Sequence, residues 1–225
     1  SNFPVAKKII KNMTYVIKKD QNNFQAYSFR ARAKNVLGKS EEAISDATKS
    51  LMIKENYDAY YARGFAYQVI SKEVNAIKDF NKAIEIKPDD LNAILLKGKS
   101  FFYLNSYDEA LNSFNELIII NPDLAEAYLF RGRSKYFLKD DNGAIKDYSK
   151  AIDIFPNFEE AYFWRGRAKF NLNDYENSIV DFNKAIEINP KEALSFELRA
   201  AAKYFINDLN GSLDDFTEAI KINPN

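Results

Sequence analysis

Arginine and aspartate recur in pairs whose side chains could form ion pairs or bind a carboxylate. Each arginine precedes its aspartate by sixteen residues; the pairs are Arg30 with Asp46, Arg63 with Asp79, Arg131 with Asp147, Arg165 with Asp181 and Arg199 with Asp215. A guanidinium beside a carboxylate forms a charge-assisted, bidentate hydrogen bond. Because the arginines stand among apolar positions, we expect structural ion pairs between packed segments. The alternative is that the arginines recruit the carboxylate of a ligand.

The groups on which most catalytic and metal sites depend are missing. The 225 residues include no histidine and no cysteine, which removes the usual proton shuttle, the thiol nucleophile and nearly every tetrahedral zinc site. No phosphate-binding glycine loop and no nucleophile elbow occur. Adjacent acids such as Asp140 and Asp141 lack the ligand spacing of a calcium loop. We therefore predict a protein that is not an enzyme and has no cofactor or metal.

Charge and hydropathy exclude further classes. The 32 basic and 32 acidic residues cancel, so no overall field attracts nucleic acid or an anionic membrane. The longest apolar runs, such as Leu117 to Ile120, are far shorter than the roughly 20 residues that span a bilayer. Apolar residues make up 46 % of the chain, which predicts a folded, soluble protein. These features favour the cytoplasm and leave a mature periplasmic or secreted form open.

Five prolines define a repeat. They stand at Pro88, Pro122, Pro156, Pro190 and Pro224, each 34 residues after the last, and such regular spacing indicates an internal repeat. With proline at place 32, the predicted units are residues 57–90, 91–124, 125–158, 159–192 and 193–225. An earlier unit at 24–56 is one residue shorter and lacks the proline. Residues 1–23 are predicted to form a helix that is half of a repeat.

Each unit is predicted to be a pair of helices. Apolar residues recur at three- and four-residue steps in two runs separated by a polar turn, and the proline ends the second run. Place 8 is small in every unit and place 24 is aromatic in five of the six. Since glycine in a helix costs about 1 kcal/mol relative to alanine, its repetition at place 8 indicates close helix contact. Asp140, Asp174 and Asp208 precede second helices and are predicted to be caps or turn residues.

This pattern resembles the tetratricopeptide repeat, in which small residues at places 8, 20 and 27, an aromatic residue at place 24 and proline at place 32 recur. The resemblance covers Phe24 to Asn225. It implies an all-α fold, an α-α superhelix or solenoid of stacked antiparallel helix pairs whose first helices line a concave groove. Such a groove commonly receives a peptide or a partner helix, so the resemblance implies a non-catalytic scaffold for protein interaction.

The resemblance also implies that places 2, 5, 6, 9, 12 and 13 face the groove. The candidate peptide-binding residues are cations at place 9 (Lys99, Arg133 and Arg167), residues at places 5 and 6 (Leu129, Phe163 and Trp164) and aromatic residues at place 12 (Phe102, Tyr136 and Phe170). A row of cations beside aromatic rings suits an extended peptide with apolar anchors and an acidic group. Alternatively, Glu126 and Glu160 neutralise the arginines, and the aromatic residues only pack between repeats.

Two other functions stay open at this level. Solenoids usually need terminal caps, so we expect the chain to be a piece of a longer protein or to be capped by association. In the second case it would be a self-associating structural assembly, a homo-oligomer joined through its uncapped ends. In the first it could be a regulatory module of the larger protein.

Overall fold

Thirteen α-helices and no strands lie within residues 2–224, the part of the chain that the computed structural model describes. The helices are α1 (Phe3–Lys19), α2 (Phe24–Val36), α3 (Ser40–Ile53), α4 (Tyr57–Val69), α5 (Glu73–Ile86), α6 (Leu91–Tyr103), α7 (Tyr107–Ile120), α8 (Ala125–Phe137), α9 (Asp141–Ile154), α10 (Glu159–Asn171), α11 (Tyr175–Ile188), α12 (Ala193–Phe205) and α13 (Leu209–Ile222). The predicted all-α fold class is confirmed.

The helices form two units, each a stack of helix pairs. The first unit holds α1 to α7 and the second holds α8 to α13. In the first, α2 packs on α3, α4 on α5 and α6 on α7; in the second, α8 packs on α9, α10 on α11 and α12 on α13. Turns of three residues join the members of each pair, so the two helices run antiparallel.

Successive pairs stack in the same way within each unit. The second helix of one pair contacts the first helix of the next, as α3 contacts α4 and α9 contacts α10. First helices also contact one another, α2 with α4 and α4 with α6 in the first unit, and α8 with α10 and α10 with α12 in the second. Each unit therefore has one layer of first helices and one layer of second helices.

Close packing of the two layers explains the small residues at place 8. A methyl group on Gly64 would lie 2.9 Å from Cε1 of Phe80, and one on Gly132 would lie 2.7 Å from Cε1 of Tyr148. Both rings are completely buried. Gly98 and Gly166 meet aromatic rings in the same way. Glycine is used here because a larger side chain would push the two helices of the pair apart.

The ends of the helices follow local signals, with one exception. The second helix α5 ends at Ile86, two residues before Pro88, and α9 ends at Ile154, two residues before Pro156. Asp140 and Asp208 accept the backbone N–H groups of Gly143 and Gly211, as predicted for caps.

At Asp174 the bonding differs from that of the other two aspartates. Asp174 precedes α11, but its carboxylate accepts the side-chain amide of Asn177 instead of a backbone N–H. Asn177 stands where the other two caps have glycine, and a methyl group on Gly143 would lie only 1.9 Å from a carboxylate oxygen of Asp140.

Candidate functional site

The structure brings the paired arginine and aspartate side chains together. Nε and Nη2 of Arg63 donate to the two carboxylate oxygens of Asp79, both at 2.8 Å. The same bidentate contact joins Arg30 to Asp46, Arg131 to Asp147, Arg165 to Asp181 and Arg199 to Asp215. All five aspartates are buried. The hydrogen bond with Asp79 raises the pKa of Arg63 above its ordinary value.

A lysine that was not predicted from the sequence completes four of these pairs. Nζ of Lys169 lies 2.7 Å from Asp181, and the equivalent contacts are Lys34 with Asp46, Lys135 with Asp147 and Lys203 with Asp215. The sequence contains a signal for these contacts, because each lysine follows its arginine by four residues and so lies on the same helix face.

The balance of effects at one of these carboxylates favours the charged form. Burial raises the pKa of Asp215, but hydrogen bonds from Arg199 and Lys203 outweigh it and hold the pKa below the ordinary value.

The remaining arginine nitrogen links one repeat to the one before it. Nη1 of Arg63 donates to Thr48, and Nη1 of Arg165 donates to Ser149. Arg30 contacts Thr14 in the same way. Since Nε, Nη1 and Nη2 of these arginines are all occupied within the helix stack, the geometry favours the structural interpretation over recruitment of a ligand.

One repeat departs from this network. At the arginine place it has Lys97, whose Nζ lies 3.8 Å from Glu116, and at the aspartate place it has Ser113, whose hydroxyl donates to the carbonyl of Glu109. A cavity of about 250 Å³ lies beside these side chains. A longer contact between lysine and glutamate therefore stands where the other repeats have a bidentate ion pair.

Cations and aromatic rings meet on the first helices of the second unit. We call Arg133, Tyr136, Phe137, Phe163, Trp164 and Arg167 the Trp164 cluster. The guanidinium groups of Arg133 and Arg167 lie 4.8 and 4.7 Å from the Trp164 ring centroid. The Trp164 ring lies 5.4 Å from Tyr136 and 5.7 Å from Phe163. The contacts join α8 to α10, so residues from two successive repeats build one cluster.

Exposure separates the members of the candidate site. Leu129 is completely buried, so the prediction that it contacts a peptide is wrong: its side chain packs inside the helix stack. Tyr136 and Phe163 are 9 % and 8 % exposed and present little surface. Phe137 is 40 % exposed, and Trp164, Arg133 and Arg167 are partly exposed. The accessible aromatic surface thus lies at places 6 and 13 more than at places 5 and 12.

The two arginines of the cluster have different electrostatic surroundings. Arg133 lines a cavity of about 250 Å³ together with Glu159, Glu160 and Glu192. Burial, followed by the charges of Glu160 and Glu192, raises the pKa of Glu159. Arg167 takes part in none of the ion pairs among residues 2–224.

A second group of aromatic side chains lies further along the same unit. Phe170 contacts the ring of Tyr175 at 5.2 Å and that of Phe205 at 5.7 Å. Tyr175 and Phe205 stack in parallel at 4.7 Å. Phe205 is 56 % exposed, so this group also offers apolar surface.

The two remaining candidates, Lys99 and Phe102, lie in the first unit on α6. Phe102 is 6 % exposed and packs against Tyr103 and Tyr107, while Lys99 is partly buried. In the same unit Arg32, at the place of Arg167, pairs with Asp58 at 2.6 Å. The cations at place 9 are therefore not equivalent from one repeat to another.

The described residues form neither a metal-binding cluster nor a membrane-spanning helix. Within residues 2–224, no three acidic, histidine or cysteine side chains come close enough together to ligate a metal ion. No helix of that range combines the length and apolar character needed to cross a bilayer.

Sequence comparison matches the chain to one family. Models described as "Tetratricopeptide repeat" match residues 57–90 and 159–192, and one described as "TPR repeat" matches residues 132–173. The first two ranges coincide with two of the predicted repeats. A comparison with curated proteins gives no match.

Solved structures share the fold at low sequence identity. The C-terminal part of a TPR repeat-containing protein from Cytophaga hutchinsonii is 18 % identical with a TM-score of 0.74, over 99 % of this chain and 95 % of that one. YrrB, described as a TPR protein with an unusual peptide-binding site, is 20 % identical with a TM-score of 0.69, over 81 % and 95 %. MamA from Desulfovibrio magneticus is 20 % identical with a TM-score of 0.70, over 75 % and 96 %.

Proposed function

Because the chain belongs to the tetratricopeptide repeat family, we propose that it is a non-catalytic scaffold that binds a segment of a partner protein. The segment lies on the first helices of the second unit, α8, α10 and α12. One acidic side chain of the segment pairs with Arg167, and its apolar side chains cover the exposed aromatic surface nearby.

The surroundings of Arg167 carry this proposal. Its guanidinium lies 4.7 Å from the Trp164 ring centroid and 5.4 Å from that of Tyr136, and it has no carboxylate partner among residues 2–224. Stacking on aromatic rings orients a guanidinium while leaving donor groups available. A ligand carboxylate would therefore gain an ion pair without displacing an internal one.

Arg133 is not expected to receive the acidic group. The cavity that it lines also contains the carboxyl groups of Glu159, Glu160 and Glu192, which would repel a second anion. The same carboxylates disfavour nucleic acid as the ligand, because phosphates would meet them beside the stacking rings. The charge pattern thus directs an acidic side chain to one arginine of the Trp164 cluster.

Apolar anchoring comes from side chains that the fold leaves accessible. Phe137, Leu194 and Phe205 are 40 %, 41 % and 56 % exposed, on α8 and α12. Burial of apolar surface contributes about 25 cal/mol per Å², and aromatic and arginine side chains dominate binding energy at many interfaces. The description of YrrB as having a peptide-binding site supports a peptide as the class of ligand.

Selection from a display library of random peptides tests the proposal. We expect the selected peptides to contain an acidic residue beside apolar residues. Since a hydrogen bond to a charged group contributes about 1.5–3 kcal/mol, Arg167→Gln should weaken their binding roughly 10- to 100-fold, as measured by fluorescence polarisation.

Arg32→Gln is the matched control. Arg32 occupies the same place in the first repeat, but its charge is already paired with Asp58, so peptide affinity should not change. Equal affinities for the wild type and Arg167→Gln, or selected peptides without an acidic residue, would refute the assignment.

A further inference from the structure

A buried tyrosine hydroxyl lies in the second unit without a hydrogen-bond partner. It belongs to Tyr148 on α9, at place 24, which is aromatic in five repeats and phenylalanine in the other four of them. The Tyr148 side chain is completely buried, and its hydroxyl bonds to none of residues 2–224. A buried polar group without a partner lowers stability. Phenylalanine would fill the same space without this cost, so packing does not explain the hydroxyl.

The geometry of place 24 shows where this hydroxyl points. In the next repeat the ring of Phe182 lies 6.2 Å from that of Phe163, which belongs to the Trp164 cluster. A ring at place 24 therefore reaches from the second helix to the side of the first helix that carries the cluster. The Tyr148 ring lies against Gly132 on α8, where a methyl group would be 3.2 Å from Cζ, the carbon that carries the hydroxyl. The hydroxyl thus extends beneath α8, next to the helix turn that begins with Arg133.

The charges around the hydroxyl belong to the same cluster. Burial raises the pKa of Tyr148, and the positive charges of Arg133 and Arg167 oppose that increase, whereas Tyr136 and Asp147 add to it. A nearby cation favours the negative form of a phenol oxygen. The geometry and the charges together place the Tyr148 oxygen close to both arginines of the Trp164 cluster.

The two arginines need electron-rich neighbours because they lie on one ring. Their guanidinium groups are 4.8 and 4.7 Å from the Trp164 ring centroid. Like charges that share a ring repel each other, and partial burial strengthens the repulsion. The face of Trp164 attracts both cations. The oxygen of a buried hydroxyl is the negative end of a dipole, which orients in the field of the cations and adds to that attraction.

We propose that Tyr148 is a positioning residue of the Trp164 cluster, whose hydroxyl oxygen holds the guanidinium groups of Arg133 and Arg167 against Trp164. It acts through the arginines, because its own side chain is completely buried. Its consequence for peptide affinity rests on the proposed function, in which Arg167 pairs with an acidic side chain. The positioning itself does not depend on peptide binding.

Acrylamide quenching of Trp164 fluorescence tests the positioning without a peptide. Trp164 is the only tryptophan of the chain, and guanidinium groups on its ring limit the access of the quencher. Tyr148→Phe keeps the ring and removes only the hydroxyl. The quenching constant should therefore rise towards that of the double variant Arg133→Gln with Arg167→Gln. In that double variant, Tyr148→Phe should have no further effect.

Peptide affinity is the second measurement. Tyr148→Phe should weaken binding of the selected acidic peptides roughly three- to tenfold, the range of one neutral polar contact, and should not lower the urea midpoint. A merely structural role would lower the midpoint and leave quenching and affinity unchanged. Phe80→Tyr is the control, because it adds a hydroxyl at the same place of a repeat in the first unit, and its quenching and affinity should match the wild type. Circular dichroism checks that each variant is folded.

The outcomes separate this proposal from the proposed function. Equal quenching of the wild type and Tyr148→Phe would overturn the positioning role. So would an increase in quenching that persists in full when both arginines are replaced. An increase in quenching with unchanged peptide affinity would support the positioning and refute the pairing of Arg167 with the peptide.

Discussion

Replacing Asp181 by alanine leaves two cations without a partner inside the second unit. Asp181 is 1 % exposed and accepts hydrogen bonds from Arg165 at 3.0 and 2.7 Å, with Nζ of Lys169 at 2.7 Å. Breaking a buried pair costs about 3–5 kcal/mol. The side chains of Arg165 and Lys169 are 19 % and 18 % exposed, so water can reach them. We therefore expect the lower end, about 3 kcal/mol of unfolding free energy.

Replacing Arg165 by alanine should lower the free energy of unfolding by less than replacing Asp181. In Arg165→Ala, Asp181 keeps its contact with Lys169, and the chief losses are the two hydrogen bonds to Asp181 and the one to Ser149. Because no buried charge is left without a partner, we expect a smaller loss than for Asp181→Ala, about 2 kcal/mol of unfolding free energy. The double variant should lose at least 1 kcal/mol less than the sum of the single losses, roughly the coupling found for residues in one network.

Urea unfolding followed by tryptophan fluorescence measures these losses. Trp164 is the only tryptophan of the chain, and it lies on α10 in the same unit as Asp181. Urea is preferable to guanidinium chloride because it does not screen ion pairs. Asp153→Ala, at an exposed position of α9, is the control and should change stability by less than about 0.5 kcal/mol. Single losses that add to the double loss within about 0.5 kcal/mol would refute the coupling.

Four further substitutions test packing, backbone conformation and charge. Gly132→Ala should lower stability by about 1–2 kcal/mol, because the new methyl meets the buried ring of Tyr148; unchanged urea midpoints would contradict this. Lys139 has a φ of 68°, a left-handed conformation that glycine adopts more readily than lysine, so Lys139→Gly should raise the free energy of unfolding by about 0.5 kcal/mol. Asn173→Gly at the equivalent turn should raise it by less, because asparagine tolerates this conformation better than lysine. Because the pKa of Glu159 is raised in the folded chain, its charge opposes folding above that pKa and the penalty disappears as the pH falls towards the ordinary value. Glu159→Gln should therefore raise the melting temperature at pH 7 and lose this advantage in acid, whereas a gain independent of pH would show that charge is not the cause.

Local signals predicted most of the fold. Pro88 and Pro156 locate the ends of α5 and α9 because proline restricts the residue before it, whatever lies elsewhere in the chain. The bonding at Asp174 was not predicted, since its carboxylate accepts the side-chain amide of Asn177, whereas Asp140 and Asp208 accept the backbone N–H of a glycine.

The candidate site was predictable in part. The 34-residue period predicted that aromatic and basic residues lie on the first helices. It did not predict which of two neighbouring side chains is exposed: Phe163 is 8 % exposed, whereas Trp164 beside it is partly exposed. Adjacent residues on a helix differ by about 100° in direction, so the tilt of each helix against its neighbour decides which of the two reaches the surface. That tilt results from contacts between repeats.

The sequence by itself determined the helix pairs, the close approach at place 8 and the pairing of arginine with aspartate, because each depends on residue types repeated at a constant interval. Only the tertiary structure decided which cations keep an unneutralised charge. Arg32 and Arg167 occupy the same place, yet Asp58 lies 2.6 Å from the first and the second stacks on Trp164 without a carboxylate partner among residues 2–224. A cation at place 9 finds its partner in the next repeat. Whether its charge is neutralised therefore depends on how successive helices stack.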